Sequence, residues 1–201
     1  IQTELCLADM GTVEKAQHRF GKAARSGNDK EATAMVALLA KVQPHLDLGK
    51  PVRSLALSAE EQALIKPLCL ITAKPAMFVG NVAEDGFENN PLLDRLTAYA
   101  TEQKAPVVAI CAKIEAEMAE MEEEDKQMFL AELGQTEPGL DRLIRAGFNL
   151  LGLQTYFTAG VKEVRAWTMH IGGSARQAAG VIHTDVDRGF IRAHPIAFDG
   201  F

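Results

Sequence analysis

Apolar positions at helical spacing dominate residues 1–48 and predict two helices. Leu5, Ala8, Thr12, Ala16, Phe20 and Ala23 recur three or four apart, leaving Glu4, Glu14, Lys15 and Arg19 for the other face. Ser26-Gly27-Asn28-Asp29 breaks the pattern as a turn, with Asn28 or Asp29 placed to cap the next helix. Met35, Leu38, Leu39, Val42 and Leu46 then make a second stripe, which stops at Leu48-Gly49-Lys50-Pro51. Two helices across a short turn predict an antiparallel hairpin packed along its own seam. The sharper alternative is an arm that projects toward a large partner.

The pattern changes after Pro51. Ser58-Ala59-Glu60-Glu61 has the form of a capping box and predicts a helix through Leu64, Ile65 and Leu68, which Pro67 kinks or shortens. Ala76-Met77-Phe78-Val79 is a short apolar run that ends abruptly in Gly80-Asn81-Val82-Ala83-Glu84-Asp85-Gly86. Such a run, bounded by turn residues, reads as a buried strand of a parallel sheet. Pro91 opens another helix with Leu96 and Tyr99 inward, and Val107-Val108-Ala109-Ile110 forms a second apolar strand ending at Cys111-Ala112-Lys113. Strand, helix, strand in that order predicts a right-handed βαβ unit with parallel strands, hence an α/β fold.

Glu115 to Asp125 is strongly acidic, but no His or Cys interleaves at ligand spacing, and Met118, Met121 and Phe129 supply an apolar side. A solvated helical face is the expectation. Gly134 to Pro138 ends one helix and starts another, with Pro138 in its first turn and Leu140, Leu143, Ile144, Phe148 and Leu151 along it. From Leu153 the texture turns to β. Thr155 to Thr158 and Val161 to Thr168 flank Ala-Gly as in a hairpin, and Gly172-Gly173-Ser174 leads into a short helix around Ala175 to Val181. A small α+β module therefore starts near residue 153.

Composition narrows the functional classes. The 201 residues are 47% hydrophobic and 24% charged with net charge −6, which excludes a uniformly basic nucleic-acid binder but leaves room for a local basic face. Cys6, Cys69 and Cys111 are odd in number and lack CxxC spacing, which predicts a reducing cytoplasm rather than a disulfide framework. No apolar stretch approaches the ~18 residues of a membrane span. The chain opens on Ile1 and ends at Asp199-Gly200-Phe201, so a fragment of a longer protein is expected.

Chemistry concentrates at the two strand ends. Ligands of open α/β sheets bind beyond the carboxyl ends of the strands. There Asn81 offers an amide that reads a purine edge, and Cys111-Ala112-Lys113 faces the same crevice. P-loop GTPases carry Asn-Lys-x-Asp and Ser-Ala-Lys elements in this order, both in contact with the base. Here Val82 replaces the Lys and Glu84 the Asp. Guanine presents N1–H and an exocyclic amine to the Asp, whereas adenine presents N6–H₂ beside N7, which an Asn amide meets bidentately. The departures therefore move preference from guanine toward adenine.

Residues Asn81 to Pro91, Leu153 to Trp167, Ile182 to Asp185 and Gly189 to Ala193 resemble the YchF, or Obg-like ATPase, subfamily of P-loop GTPases, over essentially the whole chain. The resemblance implies three parts: an α-helical coiled-coil arm over residues 1–60, the C-terminal part of an Obg-type G domain with a parallel sheet over 61–151, and the start of an α+β, β-grasp-like TGS domain over 152–201. It implies a cytoplasmic, monomeric, redox- and translation-linked ATPase that prefers ATP to GTP, uses Mg²⁺ and binds the ribosome, as large subunit or whole ribosome, through arm and TGS domain. No DNA or membrane partner is implied. Asn81 would take the adenine N6/N7 edge, Val82 would give a backbone N–H and apolar contact, and Glu84 with Cys111, Ala112 and Lys113 would complete the base site. The phosphate-binding loop G-x-x-x-x-G-K-[ST] is absent from the 201 residues, so the phosphate and Mg²⁺ groups are expected upstream of Ile1. No catalytic and no metal residue is assigned, and this segment by itself is expected to be inactive.

Rival classes stay open: a non-enzymatic ribosome- or RNA-binding adaptor, and a guanine-specific GTPase. His183 with Asp185 is read as structural or binding rather than as a catalytic pair, since no nucleophile accompanies it. His18, His45, His170 and His194 show no metal spacing. Cys111 is either a reactive thiol or, more plainly, a small loop residue. Trp167 is read as core, with Arg165 nearby keeping a stacking role open.

Overall fold

The computed structural model describes residues 1–25, 29–197 and 200, and the chain divides into two compact units, Ile1–Ala76 and Met77–Phe201. The first is helical. α1 (Gln2–Arg25) and α2 (Lys30–Asp47) pack on each other, and Asp29 caps α2 by accepting the Ala32 N–H at 2.9 Å. The alternative cap, Asn28, lies outside the described residues, as do Ser26 and Gly27. The α2 stripe is buried as its spacing predicts: Met35, Leu38, Leu39, Val42 and Leu46 all face the core. In the first half of α1 the seam is displaced by one residue from the expected stripe, while Ala16 is buried and Phe20 packs on the core as expected. Cys6, Asp9, Val13 and Ala16 are buried, whereas Ala8 is exposed and Leu5 and Thr12 are only partly covered.

Asp9 explains the displacement. Its carboxylate, 2% exposed, accepts from the Ile71 N–H (2.8 Å), the Thr72 N–H (2.7 Å) and the Thr72 hydroxyl (2.6 Å). A buried charge is tolerated only when hydrogen-bonded in this way. Thr72, itself fully buried, also accepts the Val52 N–H, so one acid and one hydroxyl tie α1 to the segments at 52 and 72. Between them, α3 (Ala59–Ile65) starts at a complete Ser58/Glu61 capping box and gives way at Pro67 to a 3₁₀ turn, Lys66–Leu68. Val52, Ile65 and Leu70 join the seam in one cluster.

The second unit is α/β. β1 (Phe78–Asn81) and β2 (Val107–Ile110) pair in parallel, with Phe78 opposite Val107 and Asn81 opposite Ile110. α4 (Pro91–Glu102), capped by Asn90, connects them. Leu96 faces inward as expected: it and Leu93 lie so close to Gly80 that a Cβ there would meet them at 3.3 and 3.1 Å, whereas Tyr99, which meets Phe78 edge-on at 5.5 Å, is exposed and Ala100 is buried instead. The acidic run is split between α5 (Ala112–Met118) and α6 (Glu123–Glu132), where Ile114, Met118 and Leu130 bury with Cys111.

α7 (Gly139–Leu151) follows, with Pro138 at the N-cap rather than in the first turn. Its expected apolar stripe is only partly covered: Leu140, Ile144 and Leu151 are each about half exposed. β3 (Leu153–Ala159) and β4 (Val164–His170) form the antiparallel hairpin, across a longer loop than Ala-Gly alone. α8 (Ala175–Ile182) has a Ser174/Gln177 capping box, and α9 (Thr184–Arg188) ends the regular structure. Tyr156 ties the hairpin to α8 by donating to the Ala178 carbonyl at 2.7 Å. No helix among the described residues is long and apolar enough to cross a membrane.

Asp9→Ala strands three buried donors. Urea unfolding is expected to show a loss of about 3 kcal/mol, and a loss under about 1 kcal/mol would contradict the anchoring role.

Candidate functional site

The parallel register brings two loops to one level at the carboxyl ends of β1 and β2. A cavity of about 530 Å³ opens there, lined by Asn81, Val82, Ala83, Glu84, Asp85, Cys111 and Lys113. Five of the six residues expected at a base site thus line one hollow. The sixth, Ala112, is exposed, and its backbone N–H donates to the Asn81 Oδ1 at 3.0 Å. That bond joins the two loops and fixes the amide. A carbonyl oxygen has two lone pairs, so Asn81 keeps one acceptor site and both Nδ2 donors for a ligand.

Val82 differs from expectation. Its N–H donates to the Ile110 carbonyl at 2.8 Å, extending the β1–β2 ladder by one rung. The backbone donor is therefore consumed by the sheet, and what remains for a ligand is the side chain, packed beside Phe87 on the Cys111 cluster. Cys111 is 3% exposed and sits in that apolar cluster.

Across the cavity Lys113 Nζ donates to Glu84 Oε1 at 2.7 Å, with Glu117 at 3.9 Å on the same ammonium. Both partners are more than half exposed, so the pair contributes little to stability. Its chemical effect is on charge: the hydrogen bond to Glu84, then the field of that carboxylate, push the Lys113 pKa up. A lysine raised in this way contributes its stabilisation fully below the unfolded pKa and loses it as pH rises through the folded one.

Two supporting residues carry no motif. Glu115, expected on a solvated face, instead accepts the Gly139 and Leu140 N–H groups at 2.7 and 3.1 Å, capping α7. Arg142 donates to the Ala109 carbonyl of β2 at 3.1 Å and lies 5.9 Å over the Phe87 ring, in the loop that follows Glu84. A Pro-Gly helix start without a side-chain cap is the one sequence feature that asks for an acid from elsewhere.

His183 is structural: its Nδ1 accepts the Asp185 N–H at 3.1 Å as the N-cap of α9. Trp167 is half-buried, donates to Thr158 Oγ1 at 2.9 Å, and carries the Arg165 guanidinium 4.3 Å over its ring. Among the described residues no group of three or more His, Cys, Asp or Glu side chains converges as a metal-binding cluster would.

Known proteins are similar to this chain along its length. The Ribosome-binding ATPase YchF of Escherichia coli O157:H7 is 54% identical over 201 residues, covering all of this chain and 55% of that protein. That of Bacillus subtilis is 48% identical over 202 residues, with 99% and 55% covered. The chain belongs to the YchF family. A family model named YchF-GTPase_C, described as a protein of unknown function (DUF933), matches residues 153–201. The solved structure of the Schizosaccharomyces pombe YchF GTPase superposes with a TM-score of 0.83 at 32% identity, over 95% of this chain and 53% of that one. The chain spans about half the length of the YchF relatives it matches.

Glu84→Gln removes the carboxylate beside Lys113. NMR titration of the Lys113 ammonium is expected to return its pKa toward the ordinary lysine value, about 10.4. A pKa that stays raised would assign the shift to another group.

Proposed function

We propose that this chain belongs to a ribosome-associated ATPase, and that it supplies the base-recognition half of the nucleotide site. The observation that carries the adenine reading is the Glu84–Lys113 contact at 2.7 Å. A carboxylate at that position would otherwise accept the guanine N1–H and exocyclic amine. Engaged by an ammonium, it competes poorly for them, while Asn81 retains the donor and acceptor that match adenine N7 and N6–H₂. The Val82 side chain gives apolar contact to the base, and the Cys111-Ala112-Lys113 loop covers its opposite side. The relatives' name, Ribosome-binding ATPase YchF, supports the same assignment.

Catalysis is assigned to no residue of this chain. The phosphate-binding and Mg²⁺ groups lie, on this reading, in the part of the protein that the 201 residues do not include. Residues 1–60 act as a helical arm, 61–151 as the C-terminal part of the G domain and 152–201 as the start of a TGS domain. A guanine-directed activity is the second reading, favoured by the Schizosaccharomyces pombe relative, which is named a GTPase.

Titration of the full-length protein with ATP and GTP separates the two. ATP is expected to bind about tenfold tighter, and Asn81→Ala to cost about tenfold in ATP affinity. Tighter GTP binding, or an unchanged ATP affinity in the variant, would overturn the adenine reading.

The helical unit supports the ribosome assignment. Lys15, His18, Arg19, Lys22 and Arg25 are all exposed on α1, and 3.6 residues per turn places them on one face. A basic face on a chain of net charge −6 suits the phosphates of ribosomal RNA. Changing Lys15, Arg19 and Lys22 together to Ala is expected to weaken ribosome co-sedimentation. The slope of log affinity against log salt should shrink by about 2–3. An unchanged slope would place the contact elsewhere.

A further inference from the structure

We propose that Glu115 is a positioning residue for the nucleotide base: its carboxylate holds the Cys111-Ala112-Lys113 loop in register with Asn81. The role rests on the base site proposed above. α5 is only seven residues long, and Cys111 at its N-cap provides no side-chain bond. Its first turn is restrained at two points. Asn81 Oδ1 accepts the Ala112 N–H at 3.0 Å. Glu115, one turn further on, accepts two N–H groups at the start of α7.

The second restraint is built tightly. Pro138 leaves α7 without a side-chain cap of its own, so the free N–H groups and the positive end of the helix dipole fall to Glu115. A Cβ on Gly139 would lie 2.7 Å from Glu115 Oε1, so the carboxylate occupies space that only glycine leaves open. α7 is held to β2 in turn, through Arg142 and the Ala109 carbonyl. β2, the base loop, α5, Glu115, α7 and Arg142 therefore close a ring of contacts, and the base loop is the segment of that ring that faces the cavity. Without Glu115, the polar restraints left on the loop are the Asn81 bond and the exposed Lys113–Glu84 pair.

The test uses the full-length protein titrated with ATP, GTP and inorganic tripolyphosphate, which has the phosphates but no base. The quantity read is the affinity gap between the tighter-bound purine triphosphate and tripolyphosphate. Glu115→Ala is expected to narrow that gap about tenfold, with tripolyphosphate affinity unchanged. Glu115→Gln keeps an acceptor and should retain most of the gap. Gly139→Ala leaves Glu115 in the sequence but displaces its carboxylate, so it should mimic Glu115→Ala, and the double variant should lose no more than either single. If Glu115→Ala fails to fold, Gly139→Ala read against Glu115→Gln decides the question.

An unchanged gap, a parallel loss of tripolyphosphate binding, or additive losses in the double variant would overturn the positioning role. A wild-type protein that prefers GTP overturns the adenine reading alone, because the gap is then read with GTP. A wild-type gap of zero overturns the base site and this role together.

Discussion

The chemistry of the second unit hangs on the parallel register of β1 and β2. With Asn81 opposite Ile110, the side chain at the end of one strand reaches the backbone N–H of Ala112 just beyond the end of the other. A slip by one residue would turn Asn81 to the opposite face of the sheet and dissolve that link. The register is guarded from several directions. Gly80 admits α4 against the strand, Phe78 meets Tyr99, and the Val82 N–H adds a rung before the loop departs. Beneath the loops the Cys111, Ile114, Met118 and Leu130 cluster supplies a floor on which Val82 and Phe87 rest. The candidate site is thus the visible end of a packing arrangement whose larger part is apolar.

Much of this was legible in the residues. Strands β1 and β2 stand out because four-residue apolar runs between turn residues leave few alternatives, and α2 because its stripe is unbroken. The Ser58/Glu61 box marks a helix start by local chemistry alone. Legibility failed where a polar residue takes a partner far along the chain. Asp9 lies outside the expected stripe, and the donors that draw it inward lie 62 and 63 residues away, so the first half of the α1 seam falls one residue from its expected place. Glu115 sits among seven acids that look alike, yet it alone reaches the start of α7. The N–H that the family resemblance offered at Val82 is taken by the ladder, whose length is not written in the side chains.

Charge is distributed with similar locality. The net −6 of the chain describes neither the basic face of α1 nor the crevice, where Lys113 stands among Glu84 and Glu117. In the crevice the ion pair is too exposed to stabilise the fold appreciably, and the proposed adenine preference gives it a role in ligand choice instead.

The anchoring of Asp9 also imposes an order of events on the growing chain. Helices such as α1 and α2 form in about a microsecond. Residues 71 and 72 are synthesised later, and elongation proceeds at about 5–20 residues per second. For that interval the apolar seam contains a carboxylate with none of its donors, and closing over it would bury an unpaired charge. The α1 seam therefore has the partners for its buried carboxylate only once residue 72 is in the chain, at the threshold of β1.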